Sequence, residues 1–122
     1  MDRGRIARSI VVGAERGDYL IVTSALTLAE VHKLRVGPAL GDEDDERILR
    51  FFEHAFLEIV DVDRRIGEHA NRLCRAHGIY PNDAVHLASA IRAGCDVLLA
   101  WDNRFTRVRE PRIRIEEPIE RL

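Results

Sequence analysis

The chain has 122 residues, 46% apolar and 33% charged, with a formal net charge of −2 at pH 7. That length fits one domain over residues 1–122, able to bury roughly two-thirds of the surface its unfolded chain exposes, and the composition argues against disorder. No apolar run approaches the roughly 20 residues that cross a bilayer, and the N-terminus lacks the apolar stretch of a secretory signal, so a cytoplasmic protein without membrane contact is expected.

In chain order, Arg3 to Arg16 reads as a helix: Ile6, Ile10 and Ala14 repeat at four, Val11 widens the stripe, and Gly17 stops it. Asp18 precedes Tyr19–Leu20–Ile21–Val22, a run of strand type that closes on Thr23. Ser24 is placed to cap a second helix, Ala25 to about Leu34, with Glu30 embedded among Leu28, Ala29 and Val31. Gly37–Pro38 and Gly41 break the chain before a third helix, Glu43 to His54, whose acidic first turn suits the helix dipole.

Leu57–Glu58–Ile59–Val60 is the second strand. Asp63 caps a helix ending at His77, with Ile66, Ala70 and Leu73 on one stripe and Gly78 as its stop. Pro81 opens the next helix and Gly94 ends it. Val97 to Trp101 is an unbroken apolar run, the pattern of a strand covered on both faces. Arg112–Ile113–Arg114–Ile115 alternates and suggests a last, half-exposed strand. Strands separated throughout by helices argue for an α/β fold with a parallel sheet between helical layers. Cys74 and Cys95, far apart and in no CxxC spacing, read as buried thiols rather than a disulfide or metal pair.

In open α/β sheets the ligand crevice lies at the carboxyl ends of the strands. Asp102 falls just after a strand, Glu30 about two turns into the helix after another, and Asp83 in the first turn of a helix whose lead-in approaches the same edge. Convergence of the three would cost roughly 4 kcal/mol per like-charge pair at 4 Å and an effective dielectric of about 20, so the cluster calls for a cation. Oxygen-only ligands suit Mg²⁺ or Mn²⁺, and the matching reaction is metal-assisted phosphodiester hydrolysis. Plainer roles compete: a dipole role for Asp83, a cap on Asn103–Phe105 for Asp102, and a surface position for Glu30. His86, one turn after Asp83, is either a core-edge histidine or a phosphate contact. From Arg104 to Arg114 five arginines face a single Glu110, either a solvated face or a phosphate-binding one.

The segments Thr23–Ser24–Ala25–Leu26–Thr27–Leu28–Ala29–Glu30–Val31, Asn82–Asp83–Ala84–Val85–His86–Leu87–Ala88–Ser89–Ala90, Gly94–Cys95–Asp96–Val97–Leu98–Leu99 and Trp101–Asp102–Asn103–Arg104–Phe105 together resemble PIN-domain proteins, in the style of the VapC toxins of bacterial toxin–antitoxin pairs. The resemblance runs from about Arg3 to Phe105. It implies a PIN-like three-layer α/β/α fold and a Mg²⁺- or Mn²⁺-dependent endoribonuclease, often a homodimer, neutralised by a small antitoxin. On it, Glu30, Asp83 and Asp102 stand at the family's second, third and fourth acidic positions, as metal ligands or water-orienting carboxylates. Arg104 and Arg107 are candidate contacts to RNA phosphates by charge and proximity.

Two departures qualify the resemblance. The family opens with an apolar central strand that ends in an aspartate, whereas here a helix starts almost at Met1, so that strand and first acid are expected to be missing. Asp2 has no strand before it, and Asp18 stands at the start of one. A start assigned too late, a truncated remnant, or a partner chain that completes the sheet would each account for this. Ala100 also stands where the family often has a hydroxyl residue. The favoured expectation is the family's ribonuclease function truncated at the N-terminus, with weak or no activity in this polypeptide; the alternative is a catalytically inactive module that dimerises or captures an antitoxin. A phosphoacceptor receiver domain would need a lysine after a late strand, and the only lysine, Lys33, falls in an early helix.

Overall fold

A computed structural model describes residues 2–31 and 42–121. Its elements are α1 (Arg3–Glu15), β1 (Ile21–Ser24), α2 (Leu26–Glu30), α3 (Asp42–Phe51), β2 (Leu57–Val60), α4 (Arg64–His77), α5 (Pro81–Arg92), β3 (Val97–Leu99), α6 (Asn103–Thr106) and β4 (Arg114–Glu116). The expected continuation of the second helix to Leu34 and the breaks at Gly37–Pro38 and Gly41 lie outside the described residues.

Caps set most helix boundaries. Asp2 Oδ1 accepts the Arg5 N–H at 3.0 Å to start α1, and Asp63 Oδ1 accepts the Ile66 N–H at 3.0 Å to start α4. Gly78 ends α4 in the left-handed region at φ 66°, where a side chain would be strained, and its N–H returns to the Cys74 carbonyl at 2.8 Å. Pro81 fills the first position of α5, where a missing N–H costs nothing.

The strands pair in parallel in two ladders, β1 with β2 (Ile21 opposite Leu57, Ser24 opposite Val60) and β3 with β4 (Val97 opposite Arg114, Leu99 opposite Glu116). Among the described residues no ladder joins one pair to the other. Parallel pairing was legible from the helical crossovers; its division into two ladders was not. β1 begins two residues later than its apolar run because Tyr19 turns back onto α1, its hydroxyl donating to the Ile10 carbonyl at 2.6 Å. That packing explains Gly13: a Cβ there would overlap the Tyr19 hydroxyl and ring. β3 is shorter than expected and half-buried rather than covered on both faces, although the Ala100 N–H still reaches the Glu116 carbonyl at 3.0 Å. β4 alternates as expected, with Ile115 buried between exposed Arg114 and Glu116.

The core lies between α4 and α5. Ile66, Ala70 and Leu73 meet Ala84, Leu87, Ala88 and Ala90, and Phe105, Val108, Ile113 and Ile115 close the far side. Ala84, Leu87 and Ala88 are fully buried; the two alanines let neighbouring backbones approach closely, so α5 packs against α4, β1 and β3 together. Arg92 Nη1 donates to both Asp63 oxygens at 2.8 and 2.7 Å, pinning the end of α5 to the start of α4. Cys74 and Cys95 are free thiols.

Candidate active site

Three chain-distant carboxylates stand at helix ends: Glu30 ends α2, which packs against α5; Asp83 lies in the first turn of α5; and Asp102 precedes α6. Asp83 occupies the first turn of α5, where the helix dipole alone would favour its ionised form. Its carboxyl is instead held above its ordinary value, first by burial and then by the nearby charge of Asp102, with Glu30 adding to the rise and His86 and Arg104 opposing it. Asp83, Asp102, Glu30, His86 and Arg104 share one electrostatic neighbourhood.

Asp102 follows β3 and caps α6. Its Oδ1 accepts the Arg104 N–H at 2.8 Å and its Oδ2 faces Arg104 Nη2 at 3.4 Å. Those donors, the backbone N–H first, hold its carboxyl below the usual range. The capping role open to Asp102 in the sequence is thus real, and it leaves the exposed carboxylate ionised beside Asp83.

Glu30 ends α2, which Thr23 and Ser24 organise. The two hydroxyls of Thr23 and Thr27 lie 2.7 Å apart, and buried Ser24 accepts the Leu26 N–H at 3.1 Å through Oγ. Glu30 is neither unpartnered nor a free surface acid: its Oε1 meets His86 Nε2 at 2.5 Å. His86, left open by the sequence between a core-edge position and a phosphate contact, is here the partner of Glu30. Its position one turn after Asp83, on the same side of α5, was the available signal.

Of the two arginines expected to contact substrate, Arg104 is engaged by Asp102 and also lies over the exposed Tyr80 ring, 5.5 Å from its centre. Arg107 caps the end of α6, its N–H donating to the Phe105 carbonyl, and its exposed side chain has no hydrogen bond or ion pair among the described residues. The other arginines of this stretch are largely used locally: Arg109 donates to the Thr106 carbonyl, and Arg112 and Arg114 pair with Glu110 and Glu116.

Among the described residues no three His, Cys, Asp or Glu side chains stand close enough together to enclose a metal ion as they are oriented here. The carboxylates of Glu30, Asp83 and Asp102 are the donor type a hard divalent cation takes, but in this arrangement Glu30 is engaged by His86 and Asp102 by Arg104.

Comparison with known proteins identifies the domain. A family model of the PIN domain matches residues 1–111. The chain belongs to the PIN-domain family. Its helices and small parallel sheets agree with the three-layer α/β/α fold of that family. The PIN domain is similar to two ribonucleases of Mycobacterium tuberculosis, VapC45 of strain CDC 1551 / Oshkosh and VapC49 of strain ATCC 25618 / H37Rv. Each is 42% identical to it over 48 residues, 38% of this chain and 33% of the relative. The chain thus aligns with about a third of the length of these curated relatives. No solved structure matches the PIN domain significantly, and none of its described helices is long and apolar enough to cross a membrane.

Proposed function

We propose that this PIN domain is a Mg²⁺- or Mn²⁺-dependent endoribonuclease of the VapC toxin type, cytoplasmic, dimeric and held in check by a cognate antitoxin protein. The family match and the two VapC relatives carry the reading, and Asp83 supports it: a half-buried carboxyl in the first turn of α5, pushed above its ordinary value by burial first and by the Asp102 and Glu30 charges next. A structural carboxylate at a helix start gains from ionisation, whereas this one is opposed by two others, the arrangement a cation relieves. Glu30, Asp83 and Asp102 are the residues that would hold the ion. When bound there it supplies a Lewis acid that lowers the pKa of a coordinated water and offsets charge building on the scissile phosphate.

The chain's own residues do the remaining work. Asp102 stays ionised through its two bonds from Arg104, and His86 fixes the direction of Glu30. Arg104 on α6 and Arg107 at its C-cap are the candidate contacts to RNA phosphates. Labelled RNA incubated with the chain and Mn²⁺ is expected to be cut weakly, and Asp83→Asn or Asp102→Asn to abolish that cutting. Equal cleavage by those variants would remove the reading.

A second reading is a PIN module that binds its antitoxin without catalysis. The engagement of Asp102 by Arg104 and of Glu30 by His86 favours it, because both acids already have partners. Calorimetry separates the two: the nuclease binds Mn²⁺ saturably through Asp83, and the inactive module does not.

A further inference from the structure

At the opposite end of α5 from Asp83 lies an open cavity of about 530 Å³ between α4 and the loop leading into β4. Buried Ile66 and Leu73 contribute to its wall. Its polar lining is Arg65, His69, Arg72, Arg92, Glu110 and Arg112. Arg92 is matched by Asp63, and Arg112 Nε donates to Glu110 Oε1 at 2.8 Å. Glu110 is almost fully buried, with His77 Nε2 3.1 Å from its other oxygen, so it is committed to the wall and not offered to a ligand. Arg65 and Arg72 are exposed and have no hydrogen bond or ion pair among the described residues. Four guanidiniums against two carboxylates leave an excess of two positive charges.

The imidazole between them reports the same field. His69 Nε2 accepts from Arg112 Nη2 at 3.2 Å. Its pKa is lowered by burial first and by the Arg112 and Arg72 charges next, against an opposing pull from Glu110. Beyond burial, the two guanidiniums disfavour a further positive charge at His69, and the same field favours an added anion.

We infer that this arginine cavity is a second RNA-binding site, where Arg65 and Arg72 grip backbone phosphates of a strand whose scissile bond lies at the acidic site. Choosing RNA as the anion rests on the ribonuclease reading; the preference for an oxyanion rests on the cavity alone. Guanidinium forks match phosphate oxygens in pairs. Arg65 and Arg72 are two turns apart on α4, roughly 10 Å at 1.5 Å per residue, a row that suits successive phosphates better than one isolated ion. Asp83 and Arg92 lie at opposite ends of α5, roughly 14 Å apart along its axis. The cavity therefore engages nucleotides flanking the cleaved bond, and it serves affinity and placement rather than chemistry.

The test is the anisotropy of a labelled single-stranded RNA oligonucleotide, titrated with the full chain in EDTA so that no cleavage occurs, at several salt concentrations. Arg65→Ala/Arg72→Ala is expected to weaken binding about tenfold at low salt and to reduce the salt slope by about 1.4, the value for two single-strand phosphates. Arg8→Ala/Arg16→Ala on α1 removes the same charge elsewhere and is expected to change the slope little. All four substitutions are on exposed side chains, and melting curves confirm folding. In the wild type, RNA is also expected to raise the His69 pKa, followed by imidazole NMR. Equal slopes for the two double variants, or an unmoved His69, overturn the inference. So does a glutamate-rich peptide that displaces RNA at comparable affinity, which would make the cavity a site for an acidic protein segment. Repeating the titration in Asp83→Asn keeps the two readings apart: loss of cleavage leaves the Arg65/Arg72 effect intact if the cavity acts independently.

Discussion

His86 Nε2 lies 2.5 Å from Glu30 Oε1, joining α5 to α2 across 56 positions of sequence. The two side chains are 23% and 28% exposed, so the pair is partly shielded from water yet open to displacement by a ligand. His86→Ala leaves a half-buried carboxylate without its partner and is expected to cost roughly 1 kcal/mol, the value for a charge-assisted hydrogen bond discounted for exposure. In a urea-unfolding cycle with Glu30→Gln, the two changes should couple by about 0.5 kcal/mol or more. Additive losses would mean that the two groups do not act on each other. RNA cleavage should fall about 10- to 100-fold in His86→Ala, the usual effect of losing a group that orients a ligand.

The raised carboxyl of Asp83 has a definite sign in stability. Burial and the neighbouring Asp102 charge lift its folded-state pKa above the ordinary 3.8. The folded protein therefore keeps a proton that the unfolded chain has released, and stability falls as pH climbs from the unfolded value to the folded one. Asp83→Asn removes that penalty. Its urea midpoint is expected to exceed the wild type's at neutral pH and to converge with it below about pH 3, where both states are protonated. Mn²⁺ at about 100 times its Kd should stabilise the wild type by about 2.7 kcal/mol and leave Asp83→Asn unmoved. A variant equally destabilised at both pH values would show that Asp83 is an ordinary structural acid.

Much of this was legible in the chain. Asp63, Gly78 and Pro81 announced the limits of α4 and α5 because capping and proline chemistry act over a few residues. The three acids stood out because each lies near the end of a readable element, and the charges of Asp102 and Glu30 both raise the Asp83 carboxyl. Hidden were the contacts that span the fold. The Glu30–His86 pair depends on how α2 lies against α5, and the arginine cavity gathers Arg65, Arg92 and Arg112 from three segments, only one of them in the basic stretch that the sequence displays. Gly13 was equally silent. A glycine inside a helical repeat looks like a weakness until Tyr19 is seen folded across it.

That contact makes Gly13→Ala an informative change. In an open helix the substitution would add stability, but here the new methyl group meets the Tyr19 ring and hydroxyl. Overpacking of this kind is expected to cost about 1–3 kcal/mol, read from the urea midpoint. Tyr19→Phe, which removes the nearest atom but keeps the ring, should reduce that cost only in part, and Tyr19→Ala should eliminate it. A stabilising Gly13→Ala in the wild-type background would mean that Tyr19 does not pack on α1.

Arg104 stands in two competing relationships, and its removal should push them in opposite directions. Its guanidinium faces the Asp102 carboxylate, where a metal ion would also bind, and it lies over the Tyr80 ring at the rim of the site. Arg104→Ala takes away a cation that competes for Asp102 while keeping the backbone N–H that caps α6. Mn²⁺ affinity by calorimetry should therefore rise a few-fold, whereas RNA affinity in EDTA should fall, with a salt slope smaller by about 0.7 for one lost phosphate contact. Asp102→Asn is expected to do the reverse to the metal, weakening it at least about tenfold. If Arg104→Ala lowers Mn²⁺ affinity as well, Arg104 steadies Asp102 for the metal and does not compete with it. Arg107→Ala supplies the comparison: with no bond to any acid of the site, it should weaken RNA and leave Mn²⁺ binding as it was.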